Sequence, residues 1–116
     1  MNPYADTLHA IKQKFPFDNW RAYWREPDEQ AECDAVEKAF DELLADLIEL
    51  GPKATEAQKI ACFQKAVETT NDHAEVIETT EREDLCELTN GITVACGLDP
   101  DAYGDGEGLA SKWRDW

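Results

Sequence analysis

Basic residues are scarce in this sequence, and the short motifs of common catalytic and metal-binding sites are missing. There are 11 Lys and Arg against 26 Asp and Glu, which gives a formal charge of -15 over 116 residues. A protein this acidic would repel a phosphate backbone, so direct nucleic-acid binding is not expected. No Cys-x-x-Cys pair and no glycine-rich phosphate loop occurs. We therefore predict no bound metal, no cofactor and no catalytic residue, and interpret the chain as a protein that is not an enzyme.

Long apolar segments are absent as well. No stretch approaches the roughly 18 apolar residues of a membrane-spanning helix. Residues 1–14 do not show the basic start and apolar run of a signal peptide. These absences predict a cytoplasmic protein that does not engage a membrane. Disulfides are rare in the cytoplasm, so the cysteines are expected to be reduced and to pack as small hydrophobic side chains. They are Cys33, Cys62, Cys86 and Cys96.

Aromatic and aliphatic residues are plentiful enough to form a core. The chain is 42% hydrophobic and contains four Trp, four Phe and three Tyr. An intrinsically disordered acidic protein would have few aromatic residues. The length fits one domain. We therefore predict a single acidic helical domain over residues 1–116.

Charge is distributed unevenly along the chain. Residues 1–25 carry four basic and two acidic side chains, whereas residues 26–49 carry ten acidic side chains and one lysine. Residues 72–107 carry eleven acidic side chains and one arginine. Such an excess of one sign attracts basic partners and speeds their encounter.

Start and stop signals divide the chain into helices. The first helix is predicted from Pro3, with Asn2 as its N-cap, to about Lys14. An aromatic turn capped by Asp18 follows. Residues 27–50 then form the longest predicted helix, with a proline in its first turn and a glycine just after its end.

Two further helices are indicated by capping boxes. Thr55 and Thr80 are each followed three residues later by a glutamine or a glutamate, as the capping-box pattern requires. The helix that begins at Thr80 is expected to end at Gly97, with the hydrophobic contact of a Schellman motif. Residues 74–79 fit either an extended segment or another turn of helix.

The predicted fold is all-α, a compact bundle of four to five helices with a short acidic, glycine-rich loop at residues 99–108. The C-terminal tail, with Trp113 and Trp116, is expected to dock on the bundle. Helical spacing predicts a core of apolar side chains. Its members are Leu8, Ile11, Phe40, Leu43, Leu47, Ile60, Phe63, Val67, Leu85, Leu88 and Ile92.

Two groups of carboxylates are the candidate partner-binding residues. One group follows a flank of the longest helix and the other surrounds the start of the last helix. Their members are Asp34, Glu37 and Asp41, and Glu78, Glu81 and Asp84. We predict that they pair with Lys and Arg of a basic protein partner.

Two alternative functions remain open at this point. Glu75, Glu78, Glu81 and Asp84 lie three residues apart, a spacing that all-helical magnesium-dependent nucleotide hydrolases use in Glu-x-x-Glu and Glu-x-x-Asp pairs. That function requires the four carboxylates to converge in a cleft. An acidic DNA-mimic inhibitor instead requires carboxylates spaced like phosphates over an elongated surface.

Three segments of the C-terminal third carry a resemblance to known proteins. They are Glu78-Thr-Thr-Glu-Arg-Glu-Asp-Leu-Cys86, Ala95-Cys-Gly-Leu-Asp99 and Trp113-Arg-Asp-Trp116. This part of the chain resembles a group of small acidic bacterial proteins of unassigned activity. The whole chain is similar in type to bacterial immunity proteins, which implies that it blocks a cognate toxin, such as a nuclease, by occlusion. The resemblance assigns no binding residues, so the six carboxylates rest on the charge pattern alone.

Overall fold

The computed structural model describes residues 3–116, which form five α-helices joined by short 3₁₀ turns and contain no strand. The predicted all-α bundle is confirmed. The helices are α1 (Pro3–Ala10), α2 (Phe17–Tyr23), α3 (Pro27–Leu50), α4 (Glu56–Asn71) and α5 (Thr79–Ala95). The predicted cap at Asn2 lies outside the described residues.

The N-terminal segment changes helix type before it turns. The chain continues from α1 as a 3₁₀ turn over Ile11–Lys14, and Pro16 then occupies the N-cap position of α2. The predicted cap at Asp18 is therefore wrong. Asp18 lies inside the first turn of α2, where a carboxylate is favoured by the unpaired N–H groups, and it forms an ion pair with Arg21 at 2.9 Å.

Helix α3 begins and ends, and helix α4 begins, where the local signals predict. Pro27 is in the first turn of α3, and Gly51 follows its end with a φ of 82°, which favours glycine. Thr55 and Gln58 form the reciprocal bonds of a capping box, at 2.9 and 3.1 Å. The two helices pack along each other as a hairpin, the most extensive helix contact in the fold.

Helix α5 begins earlier than predicted. Glu78 is its N-cap, and the Glu81 carboxylate accepts a hydrogen bond from the Glu78 N–H at 3.1 Å, so the predicted start at Thr80 is wrong. Residues 74–79 contain a 3₁₀ turn, Ala74–Val76, followed by two extended residues. The predicted Schellman end is confirmed, because the Leu98 N–H donates to the Thr93 carbonyl at 2.9 Å after Gly97.

The core lies where the N-terminal segment meets the α3–α4 hairpin and α5. Every predicted core residue is buried except Ile60, which is partly exposed. Phe17 and Trp20, which were not predicted as core, are fully buried at its centre. The molecule is flattened, with extents of 42, 33 and 17 Å. Among residues 3–116, none of the helices combines the length and the apolar character needed to cross a bilayer.

The C-terminal tail docks as predicted. After a 3₁₀ turn at Leu109–Lys112, the chain ends with Trp116, only 5% of which is exposed. The amide of Asn71, the last residue of α4, donates to the Trp113 carbonyl and accepts from the Asp115 N–H, both at 2.9 Å. These hydrogen bonds thus hold the tail against the end of α4.

Candidate protein-binding surface

The predicted carboxylates of α3 are paired by basic residues of the protein itself. Arg21 reaches Asp34 at 2.7 Å and also contacts Glu37. Lys12 lies 2.9 Å from Asp41. The hydrogen bonds to Glu37 and Asp34 raise the pKa of Arg21, so the guanidinium stays charged. Lys12 and Arg21 therefore offset two of the three negative charges on the flank of α3 that was predicted to bind a partner.

The predicted carboxylates around α5 have a different environment. The Tyr23 hydroxyl donates to Glu81 at 2.9 Å, and the Trp20 indole N–H donates to Asp84 at 2.9 Å. Burial, and then this hydrogen bond to Glu81, raise the pKa of Tyr23. Glu81 is buried, and Glu78 is exposed at the N-cap.

Helix α2 thus contacts both predicted groups of carboxylates. Arg21 points to the α3 carboxylates, while Trp20 and Tyr23 point to the α5 carboxylates. Five of the six predicted residues take part in these internal contacts or in the pair with Lys12. Their arrangement fixes the N-terminal segment on the bundle, whereas exposed Glu78 belongs to the capping box at the start of α5.

The three-apart carboxylates do not assemble into a metal site in the described part of the chain. Residues 3–116 contain no group of three or more His, Cys, Asp or Glu side chains placed to hold a metal ion. Glu75 is exposed in the turn before α5, whereas Glu81 and Asp84 accept hydrogen bonds from exposed Tyr23 and buried Trp20.

Helices α3 and α5 differ in how many of their carboxylates form ion pairs. Five carboxylates of α3 lie within 4.0 Å of a lysine or arginine nitrogen, including Glu42 and Asp46, which both face Lys65. Within residues 3–116 no carboxylate of α5 forms an ion pair, although the helix carries four, and Glu83 and Glu87 are exposed one turn apart. We call Glu78, Glu83 and Glu87 the α5 acidic surface.

A narrow cleft lies beside the α5 acidic surface. It has a volume of about 120 Å³ and forms where α5 meets the 3₁₀ turn Ile11–Lys14. Its apolar part includes Ile11 and Leu88, and Asp84 and Glu87 line its edge. A wider depression of about 460 Å³ at the end of α3 is lined by only four residues, among them Asp46 and Glu49, and is open to solvent.

A buried lysine, Lys59, was not predicted. Its ammonium donates to the Cys96 carbonyl at 2.8 Å and to the Pro52 carbonyl at 3.2 Å, and it lies 5.4 Å from the centre of the Tyr4 ring. Because Cys96 is the C-cap of α5, the charge sits where carbonyl groups are unpaired and a cation is favoured. These contacts give Lys59 a structural role that joins the α3–α4 connection to the end of α5.

High pH is expected to destabilise the protein through Cys33, which is buried, and Tyr4, which is partly buried. Burial raises the pKa of Cys33 from 9.0 to about 11 and that of Tyr4 from 10.0 to about 12. Because the folded state holds these protons more tightly, stability is fully present below pH 9.0 and falls as the pH rises toward 11. Each fully shifted group lowers the free energy of unfolding by about 1.4 kcal/mol per pH unit within its window.

Urea unfolding between pH 8 and 11 measures this loss, and Cys33→Ala is the control. The variant is expected to lose less stability than the wild type over that range. An identical pH dependence in both proteins would contradict the role of the Cys33 thiol.

Replacement of Arg21 by Gln tests the internal pairing. The change removes the shared donor of Asp34 and Glu37, and we expect the free energy of unfolding to fall by about 1–2 kcal/mol, because hydrogen bonds to charged groups are strong but Asp34 is largely exposed. Arg25→Gln is the matched control, since exposed Arg25 donates to the Ala22 carbonyl and forms no ion pair with the residues that the structure describes. Equal losses of stability in the two variants would show that net charge, and not this pairing, is responsible.

Comparisons of the chain with protein-family models, with curated proteins and with solved structures give no match.

Two features of the surface were not predicted from the sequence. The pairing by Lys12 and Arg21 had a visible signal, since a basic segment directly precedes an acidic one. The cleft had no visible signal in the sequence, because Ile11 and Gly91, which both line it, are far apart in the chain.

Proposed function

We propose that this protein binds and neutralises a basic protein partner, in the way that an immunity protein blocks a cognate bacterial toxin such as a nuclease. The observation that carries the proposal is the contrast in ion pairing between α3 and α5. Five of the nine carboxylates of α3 lie within 4.0 Å of Lys12, Arg21 or Lys65. The α5 acidic surface has no such offset within residues 3–116, so its charge is available to a partner.

The mechanism in this proposal is occlusion. Glu83 and Glu87, one turn apart, pair with Lys and Arg that line the partner's cleft, while Glu78, Asp34, Glu37 and Asp41 contribute to the long-range field. The net charge of -15 accelerates the encounter. Apolar and aromatic contacts set the lifetime of the complex.

The shape of the molecule supports this function over DNA mimicry. Its two longer extents, 42 and 33 Å, are similar, whereas a mimic of DNA needs an elongated surface. A magnesium site would need the carboxylates of Glu81 and Asp84. These two carboxylates instead accept hydrogen bonds from Tyr23 and Trp20.

Affinity capture from the source organism, followed by kinetics, tests the proposal. We expect a basic protein to be retained, its activity to be lost in the complex, and its association rate to fall at least tenfold between about 20 and 500 mM salt, because exposed charges are screened. Glu83→Gln combined with Glu87→Gln should slow association more than the matched pair Glu42→Gln and Glu49→Gln. An association rate independent of salt would contradict the proposal. Magnesium-dependent hydrolysis of nucleoside triphosphates that is lost in Glu78→Ala would replace it with the hydrolase alternative.

A further inference from the structure

We propose that the cleft between α5 and the 3₁₀ turn Ile11–Lys14 is an anchor site for one arginine side chain of the basic partner. This inference rests on the proposed function and assigns a specific contact to it. The cleft lies next to the α5 acidic surface, since Glu87 belongs to both.

The size of the cleft fits a side chain. Its volume of about 120 Å³ is well below the roughly 300–1,000 Å³ of sites that take cofactors or drug-sized ligands. A cavity of about 150 Å³ in another protein holds a single benzene ring. The cleft is therefore large enough for one long side chain and too small for a nucleotide.

The chemistry of the cleft fits arginine. Ile11 and Leu88 offer apolar surface to the aliphatic stem, and Asp84 and Glu87 offer carboxylate oxygens to the planar guanidinium. Among residues 3–116, Lys14 is the only cation that lines the cleft, and with two carboxylates these lining residues have a net charge of -1. A cation with an apolar stem is thus the complementary occupant, and arginine forms the forked hydrogen bonds that lysine does not.

One of the two carboxylates is already fixed in position. The indole N–H of Trp20, which is fully buried, donates to Asp84 Oδ2 at 2.9 Å. Asp84 Oδ1 accepts no hydrogen bond from the described residues and remains available. A carboxylate held in place loses little conformational freedom on binding, which favours affinity.

Gly91 keeps the cleft open. A Cβ atom at this position would lie 3.8 Å from Ile11 Cδ1, an ordinary contact, so alanine fits and a longer side chain would extend into the cleft. Gly91 also lies within α5 without a positive φ. Gly91→Ala is therefore expected to preserve or increase helix stability, whereas Gly91→Leu should fill the cleft without changing charge.

Titration with a capped tri-arginine peptide, followed by amide chemical shifts, tests the site. At low salt we expect saturable shifts at residues 14, 88 and 91, and about tenfold weaker binding to Gly91→Leu, as for loss of an interface anchor. Ala45→Leu, which adds the same side chain on an exposed part of α3, should bind like the wild type. Capped tri-lysine should bind more weakly than tri-arginine.

Charge variants provide a second measurement that does not depend on filling the cleft. Glu87→Gln should weaken tri-arginine binding severalfold, and Glu49→Gln, which removes the same charge beside the open depression on α3, should not. Absence of binding, or equal affinity in Gly91→Leu, Glu87→Gln and the wild type, would overturn the anchor site.

The two proposals fail in different ways. If shifts map to residues 78 and 83 and are unaffected by Gly91→Leu, the anchor site is wrong and the α5 acidic surface still binds cations. If a captured partner associates at a rate that does not depend on salt, the proposed function is wrong whatever the peptide does. Circular dichroism of Gly91→Leu and Gly91→Ala establishes that the variants are folded.

Discussion

Replacement of Trp20 by Ala is expected to lower the free energy of unfolding by about 3–5 kcal/mol, as large-to-small changes of buried aromatic residues do. Trp20 is fully buried, and its ring centre lies 5.1 Å from those of Phe17 and Trp24. Since a domain is typically stable by about 5–15 kcal/mol in total, this one change removes a large share of the stability. Urea unfolding followed by circular dichroism measures the loss.

Trp20→Phe separates packing from hydrogen bonding. The phenyl ring keeps much of the aromatic contact but has no N–H for Asp84, so we expect a smaller loss of about 1–2 kcal/mol. If alanine and phenylalanine cost the same, the hydrogen bond to Asp84, rather than ring packing, holds α2 in place. A loss below 1 kcal/mol in Trp20→Ala would contradict the central position of α2 in the core.

Replacement of Gly108 by Ala is the second change with a large expected effect. Gly108 has a φ of 109°, and a Cβ atom there would lie 2.0 Å from Asn90 Oδ1. The backbone conformation alone costs a residue other than glycine about 1–3 kcal/mol, and the clash requires Asn90 or the loop to move. We expect a lower melting temperature, and a change in tryptophan fluorescence, because the tail that follows Gly108 buries Trp116.

Making Gly108→Ala in an Asn90→Ala background separates the cost of the clash with Asn90 from the cost of backbone strain. Asn90 Oδ1 is buried and accepts no hydrogen bond from the described residues, so its removal should cost little. Gly108→Ala should be less destabilising in that background, and the remainder measures backbone strain. If the background makes no difference, the clash with Asn90 is relieved by movement of the loop.

Local signals predicted the elements whose ends are set by neighbouring residues. Pro27 and Gly51 bound α3, and Thr55 with Gln58 starts α4, because each signal acts within one turn of helix. The N-cap of α5 was predicted two residues too late, at Thr80, since residues 78–83 contain two overlapping capping patterns. The choice of Glu78 agrees with a tertiary contact, the hydrogen bond from Tyr23 to Glu81, which has no local signal.

The candidate site was harder to predict for the same reason. Asp34 and Glu37 follow a helical flank, and periodicity alone cannot tell that Arg21 returns to pair with them. Whether Asp34 and Glu37 are free to bind a partner depends on how the chain folds back between α2 and α3. The position of Gly91 opposite Ile11 depends in the same way on packing between residues 80 positions apart in sequence.

The unequal pairing of α3 and α5 has an electrical consequence. Because more carboxylates have a lysine or arginine partner on α3 than on α5, and the N-terminal segment is basic, charge is distributed unevenly and the molecule has a permanent dipole moment in addition to its net charge. The field of an approaching polycation therefore exerts a torque on it as well as a pull. The protein would turn its more negative side forward while the two molecules are still separated by water, so that a larger fraction of collisions begins in a productive orientation.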